Sequence, residues 1–216
     1  MKVLDLFSGL CGWSAAFKDR GHEIVTVDNN IKFKPTICID VMELEADAFR
    51  EHFDVILASP PCNCFSIASV YRHWDKNKKP KDKQTKEAIK LVAHTLKLII
   101  ELNPRFWFLE NPRGMLRKVI GMPTVTTYYA GYGTPYLKPT DIWGPHPKIE
   151  WNKPTKWIKA PRGSKTGIQG IDGKYIKAYP DDMGKILRVP ELRAIVPYAL
   201  SQAVCLACER ELVIKI

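Results

Sequence analysis

Short apolar runs that each end at a turn or an acid, separated by helix-like stretches, set the strongest limit on how this chain folds. The first run, Val3-Leu4-Asp5-Leu6-Phe7, enters the turn Ser8-Gly9-Leu10-Cys11-Gly12 and then a helix predicted from about Trp13 to Arg20. Ile24-Val25-Thr26-Val27 ends at Asp28, and Ile37-Cys38-Ile39 ends at Asp40. A helix containing Leu44, Ala48 and Phe49 is expected next, then a fourth strand at Val55-Ile56-Leu57-Ala58. Ile89, Val92, Leu96 and Ile99 share one helical stripe, and Phe106-Trp107-Phe108-Leu109 follows as a fifth strand. Strands alternating with helices predict an α/β domain with a mainly parallel sheet. In such sheets ligands bind beyond the carboxyl ends of the strands. The residues just after each run are therefore the candidate site.

Composition removes several other classes. With 45% hydrophobic residues among 216, the chain can bury a substantial core, which excludes a disordered protein. No stretch approaches the roughly 18 consecutive apolar residues of a membrane span. Met1 to Phe7 holds an acid inside an apolar run too short for a signal peptide. An intracellular, cytoplasmic protein is the expectation. Lys+Arg 33 against Asp+Glu 23 gives a net charge of +10, which favours a polyanionic partner. Six cysteines in an unexported chain argue against a disulfide framework. Cys62-Asn63-Cys64 and Cys205-Leu206-Ala207-Cys208 look like metal half-sites, but only the second has the spacing of a zinc ribbon. Its helical setting makes Cys205 and Cys208 small core residues on one face, so no metal is expected.

Residues 1–142 read as the α/β core. From 143 to 188 the chain is Pro-, Gly- and Lys-rich with little periodicity, a basic insert below the size that usually folds unaided. Residues 189–216 return to an apolar helix, expected to dock back on the core.

Two turns carry chemistry. Ser8 to Gly12 suits a nucleotide-like ligand, since glycines admit close backbone approach and a helix N-terminus offers amide donors. Asp28 and Asp40 end neighbouring strands, where an acid accepts from ribose hydroxyls or simply caps a helix. The fourth strand runs into Ala58-Ser59-Pro60-Pro61-Cys62, and the two prolines fix where the thiol points. The fifth ends in Glu110-Asn111-Pro112-Arg113. A nucleophile facing a carboxylic acid across one crevice suits covalent catalysis on an electron-poor ring.

In order, Asp5-Leu6-Phe7-Ser8-Gly9, the Pro60-Pro61-Cys62-x-x-Phe65-Ser66 element and Glu110-Asn111-Pro112 resemble the DNA (cytosine-5) methyltransferase family. The resemblance runs from Val3 to about Gly133 and, faintly, through the final helix. It implies a Rossmann-like, S-adenosylmethionine-dependent fold, with residues 143–188 as a reduced target-recognition region. Phe7, Ser8, Gly9, Gly12 and Trp13 would then line the cofactor site. Asp28 would meet the ribose and Asp40 the adenine region, with Asn29, Val41 and Pro60 completing the set. Cys62 would attack carbon 6 of cytosine while Glu110 holds or protonates nitrogen 3. Pro61, Ser66, Asn111, Arg113 and Lys138 would contact the substrate. Carbon 5 then takes the methyl group, and loss of its proton expels Cys62. The target base must first leave the duplex stack.

Departures from the family pattern are visible. Cys11 replaces a common glycine, Tyr136, Lys138 and Thr140 stand where Gln-x-Arg-x-Arg is usual, and Arg193-Ala194 replaces a Gly-Asn pair. Two basic stretches fit a nucleic acid: Tyr71 to Lys86, where the family has a mobile loop, and Lys148 to Lys165 interleaved with Trp151 and Trp157. Either could also be a solvated face over core tryptophans. The expectation is cytosine-5 methylation of DNA in a restriction-modification setting. The same chemistry on RNA or single-stranded DNA, and a non-catalytic nucleic-acid-binding relative, remain open at this point, although a pure binder has no need of Cys62 and Glu110.

Overall fold

The computed structural model describes residues 1–155, Ile168–Gln169, Tyr175–Ile176, residue 192 and residues 194–213. Most of the basic insert, including Trp157, lies outside the described residues. The chain runs β1 (Lys2–Leu6), α1 (Ala15–Asp19), β2 (Glu23–Asp28), β3 (Ile37–Cys38) and β4 (Val55–Ala58). Then come α2 (Val70–His73), α3 (Lys83–Leu102), β5 (Phe106–Pro112), α4 (Arg117–Ile120), β6 (Val125–Tyr128) and β7 (Pro139–Trp143). Two two-residue strands, β8 (Ile168–Gln169) and β9 (Tyr175–Ile176), pair with each other, and α5 (Tyr198–Val213) closes the described chain.

The seven-stranded sheet has the order β3-β2-β1-β4-β5-β7-β6. Pairings from β3 to β5 are parallel, whereas β7 is antiparallel to both of its neighbours. The expected mainly parallel sheet is thus present. Side chains alternate between two cores. Val3, Val55 and Leu57 join Trp13, Phe17, Leu200 and Val204 on the face covered by α1 and α5. Leu4, Leu6 and Ile56 join Val92, Leu98 and Ile99 on the face covered by α3. A central strand buried on both faces has to be apolar in both registers, which is why the runs look continuous.

Strand order reverses direction about β1, and the crevice between the ends of β1 and β4 is the position where such sheets take ligands. Asp82 caps α3 by accepting from the Thr85 amide, and Asn103 ends it in a left-handed conformation. That helix carries the chain from β4 back to β5.

Three expectations need correcting. The helix around Leu44, Ala48 and Phe49 is two separate 3-10 turns, Val41–Glu43 and Ala46–Ala48, with Leu44 extended between them. The cause is tertiary: His94 of α3 bonds the Leu44 carbonyl at 3.0 Å, the group a continuing helix would use, while Leu44 itself is buried. The helix after the first turn is shorter than expected, spanning only Ala15–Asp19. The fifth strand is longer and includes Glu110 and Asn111, so these groups sit on the sheet rather than in a loop after it.

The described part of the insert is attached to the core. Gly144 passes so close to Trp107 that an added Cβ would lie 2.1 Å from its carbonyl oxygen. His146 stacks on Phe108, and Trp151 meets His146 edge-on. Trp143 is buried, with its indole nitrogen donating to the Gly121 carbonyl. These two tryptophans therefore pack inward instead of offering stacking faces to a base. Lys148 and Lys153 beside them are exposed.

Candidate active site

The turn after β1 is built from unusual backbone. Phe7, Gly9 and Cys11 all have positive φ, at 61°, 50° and 58°. A left-handed non-glycine residue costs on the order of 1 kcal/mol, so Cys11 occupies a position for which glycine is the low-cost choice. The Cys11 amide closes the turn on the Ser8 carbonyl at 2.7 Å. Gly12 serves close packing: a Cβ there would lie 2.7 Å from Ile195 Cγ2 and 2.8 Å from the Val196 nitrogen. The segment before α5 is thus pressed onto the turn. Ser201 fixes it further, donating to the Trp13 carbonyl at 2.6 Å and accepting from the Ala16 amide at 3.1 Å.

A cavity of about 220 Å³ opens here, lined by Asp5, Phe7, Ser8, Gly9, Leu10, Gly12, Trp13, Phe33, Ser59 and residues 194–196. The hydroxyls of Ser8 and Ser59 and the indole nitrogen of Trp13 are buried without hydrogen-bond partners. Buried polar groups are ordinarily satisfied, so a lined cavity with three orphaned groups suits a polar ligand. Asp28 borders the turn. One carboxylate oxygen accepts from the Gly9 amide and the other from the Asn30 amide, both at 2.9 Å. Asp40 accepts from the Met42 amide and caps the first 3-10 turn. Asp28, Asn29, Asp40, Val41 and Pro60 are not among the cavity-lining residues, whereas Phe33 and Ser59 are there without having been singled out in the sequence, as are Asp5 and Leu10 from within its motif and turn. Asp5 is completely buried. Burial, aided by the nearby Asp28 charge, pushes its carboxyl up to about 7 even though the Ser14 hydroxyl donates to it.

The Cys62 loop is fastened to the end of β5. The Asn111 side-chain amide donates to the Pro60 carbonyl at 2.9 Å, and the Met115 amide donates to the Phe65 carbonyl at 2.7 Å. Ser66 bridges to Gly114, where an added Cβ would sit 2.1 Å from the Phe65 carbonyl oxygen. Two successive amides, of Phe65 and Ser66, donate to the Cys62 carbonyl. In this tight turn Cys62 stays partly exposed while Cys64 is buried, its thiol pushed up by burial. Pro61 and Arg113 are exposed at the mouth, and Ser66 is half-buried, its hydroxyl sharing a hydrogen bond with Ser69.

Glu110 is only 4% exposed. Burial raises its carboxyl above the usual carboxylate range, against the pull of the Lys138 ammonium and the Tyr129 hydroxyl. Ser59 lies close enough to assist, although its geometry falls short of a formed hydrogen bond. Tyr129 donates to Glu110 Oε1 at 3.1 Å, and its phenol is itself raised in part by the charge of Cys62. Cys62, Tyr129, Glu110 and Lys138 therefore form one electrostatic cluster. Thr140, in the place of the second arginine, is buried on β7 with its hydroxyl turned to the Lys138 carbonyl. Tyr129 and Gly114 escaped the sequence reading because neither belongs to a recognised motif; a glycine directly after Asn-Pro-Arg was the one available signal.

Within the basic stretch from Arg72 to Lys86, a short hairpin between α2 and α3 is seated on this loop. Trp74 pairs with Pro80, and its indole donates to the Cys64 carbonyl at 2.7 Å. His73 bonds Asp82 at 2.9 Å across the hairpin base. Asp75 accepts from the Asn77 and Lys79 amides to form the turn. Arg72 and lysines 76, 78, 79, 81, 83 and 86 are all exposed.

Among the described residues, one group brings metal-ligating atoms together: His22, Cys205 and Glu209, within 4.8 Å of one another. Arg20 already holds both Glu209 oxygens, at 2.8 and 2.7 Å, and the Cys205 thiol is pushed up to about 12, chiefly by burial. Cys205 and Cys208 are both core residues.

A parallel sheet reversing at β1, an antiparallel β7 and a glycine turn at the switch point define the Rossmann-like class of S-adenosylmethionine-dependent methyltransferases. Residues 1–125, more than half of the chain, match the family described as C-5 cytosine-specific DNA methylase, and the chain belongs to that family. Its members methylate cytosine at carbon 5 in DNA with S-adenosylmethionine as donor. The chain is 31% identical over 152 residues to the "Probable DNA (cytosine-5)-methyltransferase" of Frog virus 3 (isolate Goorha), covering 66% of this chain and 70% of that protein. It is 30% identical over 129 residues to the type II methyltransferase M.FnuDI of Fusobacterium nucleatum, covering 55% of this chain but 34% of that one. The solved structure of the Entamoeba histolytica methyltransferase EhMeth superposes with a TM-score of 0.51 at 14% identity, over 76% of this chain and 61% of that one, a likeness of fold. The chain thus spans most of the viral relative and about a third of the bacterial one. Among the described residues no helix is long and apolar enough to cross a membrane.

Proposed function

We propose that this chain methylates carbon 5 of cytosine in DNA, with Cys62 as nucleophile and Glu110 as the acid at nitrogen 3. The observation that carries this reading is the fastening of the Cys62 loop to the strand bearing Glu110, through Asn111, Met115 and Gly114. A sulfur that must reach carbon 6 while a carboxyl meets nitrogen 3 needs the two groups held in one frame. Cys64, buried beside the same loop, is not available for attack.

When bound, S-adenosylmethionine supplies the electrophilic methyl group. Ser8, Trp13 and Ser59 would offer their orphaned polar atoms to it, and the Phe7–Gly12 turn its backbone. Cys62 adds to carbon 6, Glu110 protonates nitrogen 3, and carbon 5 becomes nucleophilic. Once carbon 5 has taken the methyl group, loss of its proton re-forms the ring double bond and releases the thiolate. Because Glu110 is buried, a base still stacked in a duplex cannot reach it; the cytosine enters flipped out. The exposed cations of the Arg72–Lys86 stretch are placed to hold the flanking phosphates.

Cys62→Ser should abolish methyl transfer from labelled S-adenosylmethionine, because a serine hydroxyl without a dedicated base is scarcely ionised. Cys64→Ser should keep turnover. DNA containing 5-fluorocytosine cannot complete the final elimination, so the wild type should be trapped on it, with peptide mapping placing the bond on Cys62. Matched duplex DNA, single-stranded DNA and RNA set the substrate. Activity in Cys62→Ser, or an adduct on Cys64, refutes the mechanism.

A further inference from the structure

We propose that Tyr129 is the positioning residue for Glu110, its buried hydroxyl holding one carboxyl oxygen and directing the acid proton to the other. The inference deepens the reading above and rests on it. Tyr129 is fully buried at the start of the 3-10 turn Tyr129–Tyr132 that follows β6. Its hydroxyl donates to Glu110 Oε1 at 3.1 Å, and the Lys138 ammonium stands 4.0 Å from the centre of its ring. The Tyr129 amide also reaches the Lys138 carbonyl at 3.4 Å, so the two residues are placed together by backbone as well as by side chain.

The chemistry follows from the donor inventory. Burial and the Glu110 charge raise the Tyr129 phenol well above its ordinary value, so it stays a donor throughout the working pH range. A carboxyl oxygen that accepts a fixed donor is the less basic of the two. The acid proton of Glu110 therefore resides on Oε2. A cation over the ring face draws density from the phenol and strengthens the donor. This chain thus supports its catalytic acid with a phenol and an ammonium, at the place where Tyr136, Lys138 and Thr140 replace a glutamine and two arginines.

During addition the Cys62 sulfur supplies the electron pair of the new bond to carbon 6. The ring's 5,6 pair becomes a 4,5 double bond, and the former carbon 4–nitrogen 3 double-bond pair takes the Oε2 proton at nitrogen 3, leaving a Glu110 carboxylate. Tyr129 and Lys138 stabilise that carboxylate without moving. Carbon 5 then bonds the methyl group with the 4,5 pair, the donor sulfonium keeping the electrons of its broken bond. When carbon 5 gives its proton to water, the freed pair re-forms the 5,6 double bond, Cys62 leaves with the carbon–sulfur pair, and nitrogen 3 returns its proton to Oε2.

Tyr129→Phe keeps the ring and its contact with Lys138 and removes only the hydroxyl. Its kcat should fall about tenfold to a hundredfold, with the KM for DNA and the affinity for S-adenosylmethionine unchanged. Without the donor the Glu110 carboxylate is less stable, so the limb on which kcat falls with rising pH should move to higher pH. Tyr129→3-fluorotyrosine, a stronger donor of nearly the same size that leaves no void, should move that limb to lower pH and serves if the phenylalanine variant folds poorly. Limbs that superpose on the wild type in both variants overturn the assignment. If Cys62→Ser remains active, it is the underlying mechanism that fails; if Cys62→Ser is dead and the limbs do not move, only the role of Tyr129 fails.

Discussion

Between Phe7 and Gly12 the backbone shapes the cavity: three left-handed residues in a row of six form a cradle, and the side chains of Phe7, Ser8 and Leu10 line the space beside it. Between Cys62 and Lys138 side chains dominate: β5 delivers Glu110 and Asn111, and the Cys62 loop is latched to that strand by long-range contacts such as Asn111 to Pro60 at a separation of 51. A cradle made of torsions is local and fails locally. A crevice made of long-range latches fails when a partner far away in sequence moves.

Substitutions at the two places should therefore separate binding from chemistry. Gly9→Trp should give the largest effect. The space beside Gly9 is open, with no neighbour closer than 4.0 Å to an added Cβ, so the indole enters the cavity. Calorimetry should show no S-adenosylmethionine binding, while the positive φ costs only about 1 kcal/mol of fold stability. Retained affinity in a folded variant would break the contrast. Gly114→Ala should act the other way. Its Cβ collides with the Phe65 carbonyl, so the Cys62 loop must shift, at about 1–3 kcal/mol of stability. Methyl transfer should fall at least tenfold, with calorimetric cofactor affinity close to wild type.

The third and smallest test sharpens the cradle side. Burial holds the proton on Asp5 in the folded protein up to about pH 7, against about 3.8 for an exposed aspartate. The folded state then binds more protons than the unfolded one through that window, so stability is full below pH 4 and is lost as pH rises toward 7, by about 4 kcal/mol at most. Asp5→Asn, which can still accept from Ser14, should flatten that slope in urea titrations across pH 4–7.

The cradle was legible because its signals are local. Apolar runs, the glycines and Cys11 in a glycine's place all lie within a dozen residues, and β1 and β4 match the expected strands to within one or two residues. The Cys62 and Glu110 positions were also legible, through the prolines and Glu-Asn-Pro. What holds them was not. β6 and β7 lack an apolar run: β6 reads Val-Thr-Thr-Tyr, and β7 buries Asp141 against Thr126 and Arg117 instead of hydrocarbon. Tyr129 lies just past β6, so its approach to Glu110 depends on a pairing that no window of sequence displays. The lost helix around Leu44 has the same origin, a histidine 50 residues away.

Ser201 gives the molecule an order of assembly. Its hydroxyl bridges the Trp13 carbonyl and the Ala16 amide, 188 and 185 residues earlier, and Ile195 and Val196 lie against Gly12. A ribosome releases the glycine turn long before the serine that pins it. Throughout synthesis the nascent chain carries a first strand and turn whose far wall has not yet been made, and such distant closures are the slow steps of folding. The cavity beside the glycine turn is therefore completed late, after every strand of the seven-stranded sheet has been synthesised.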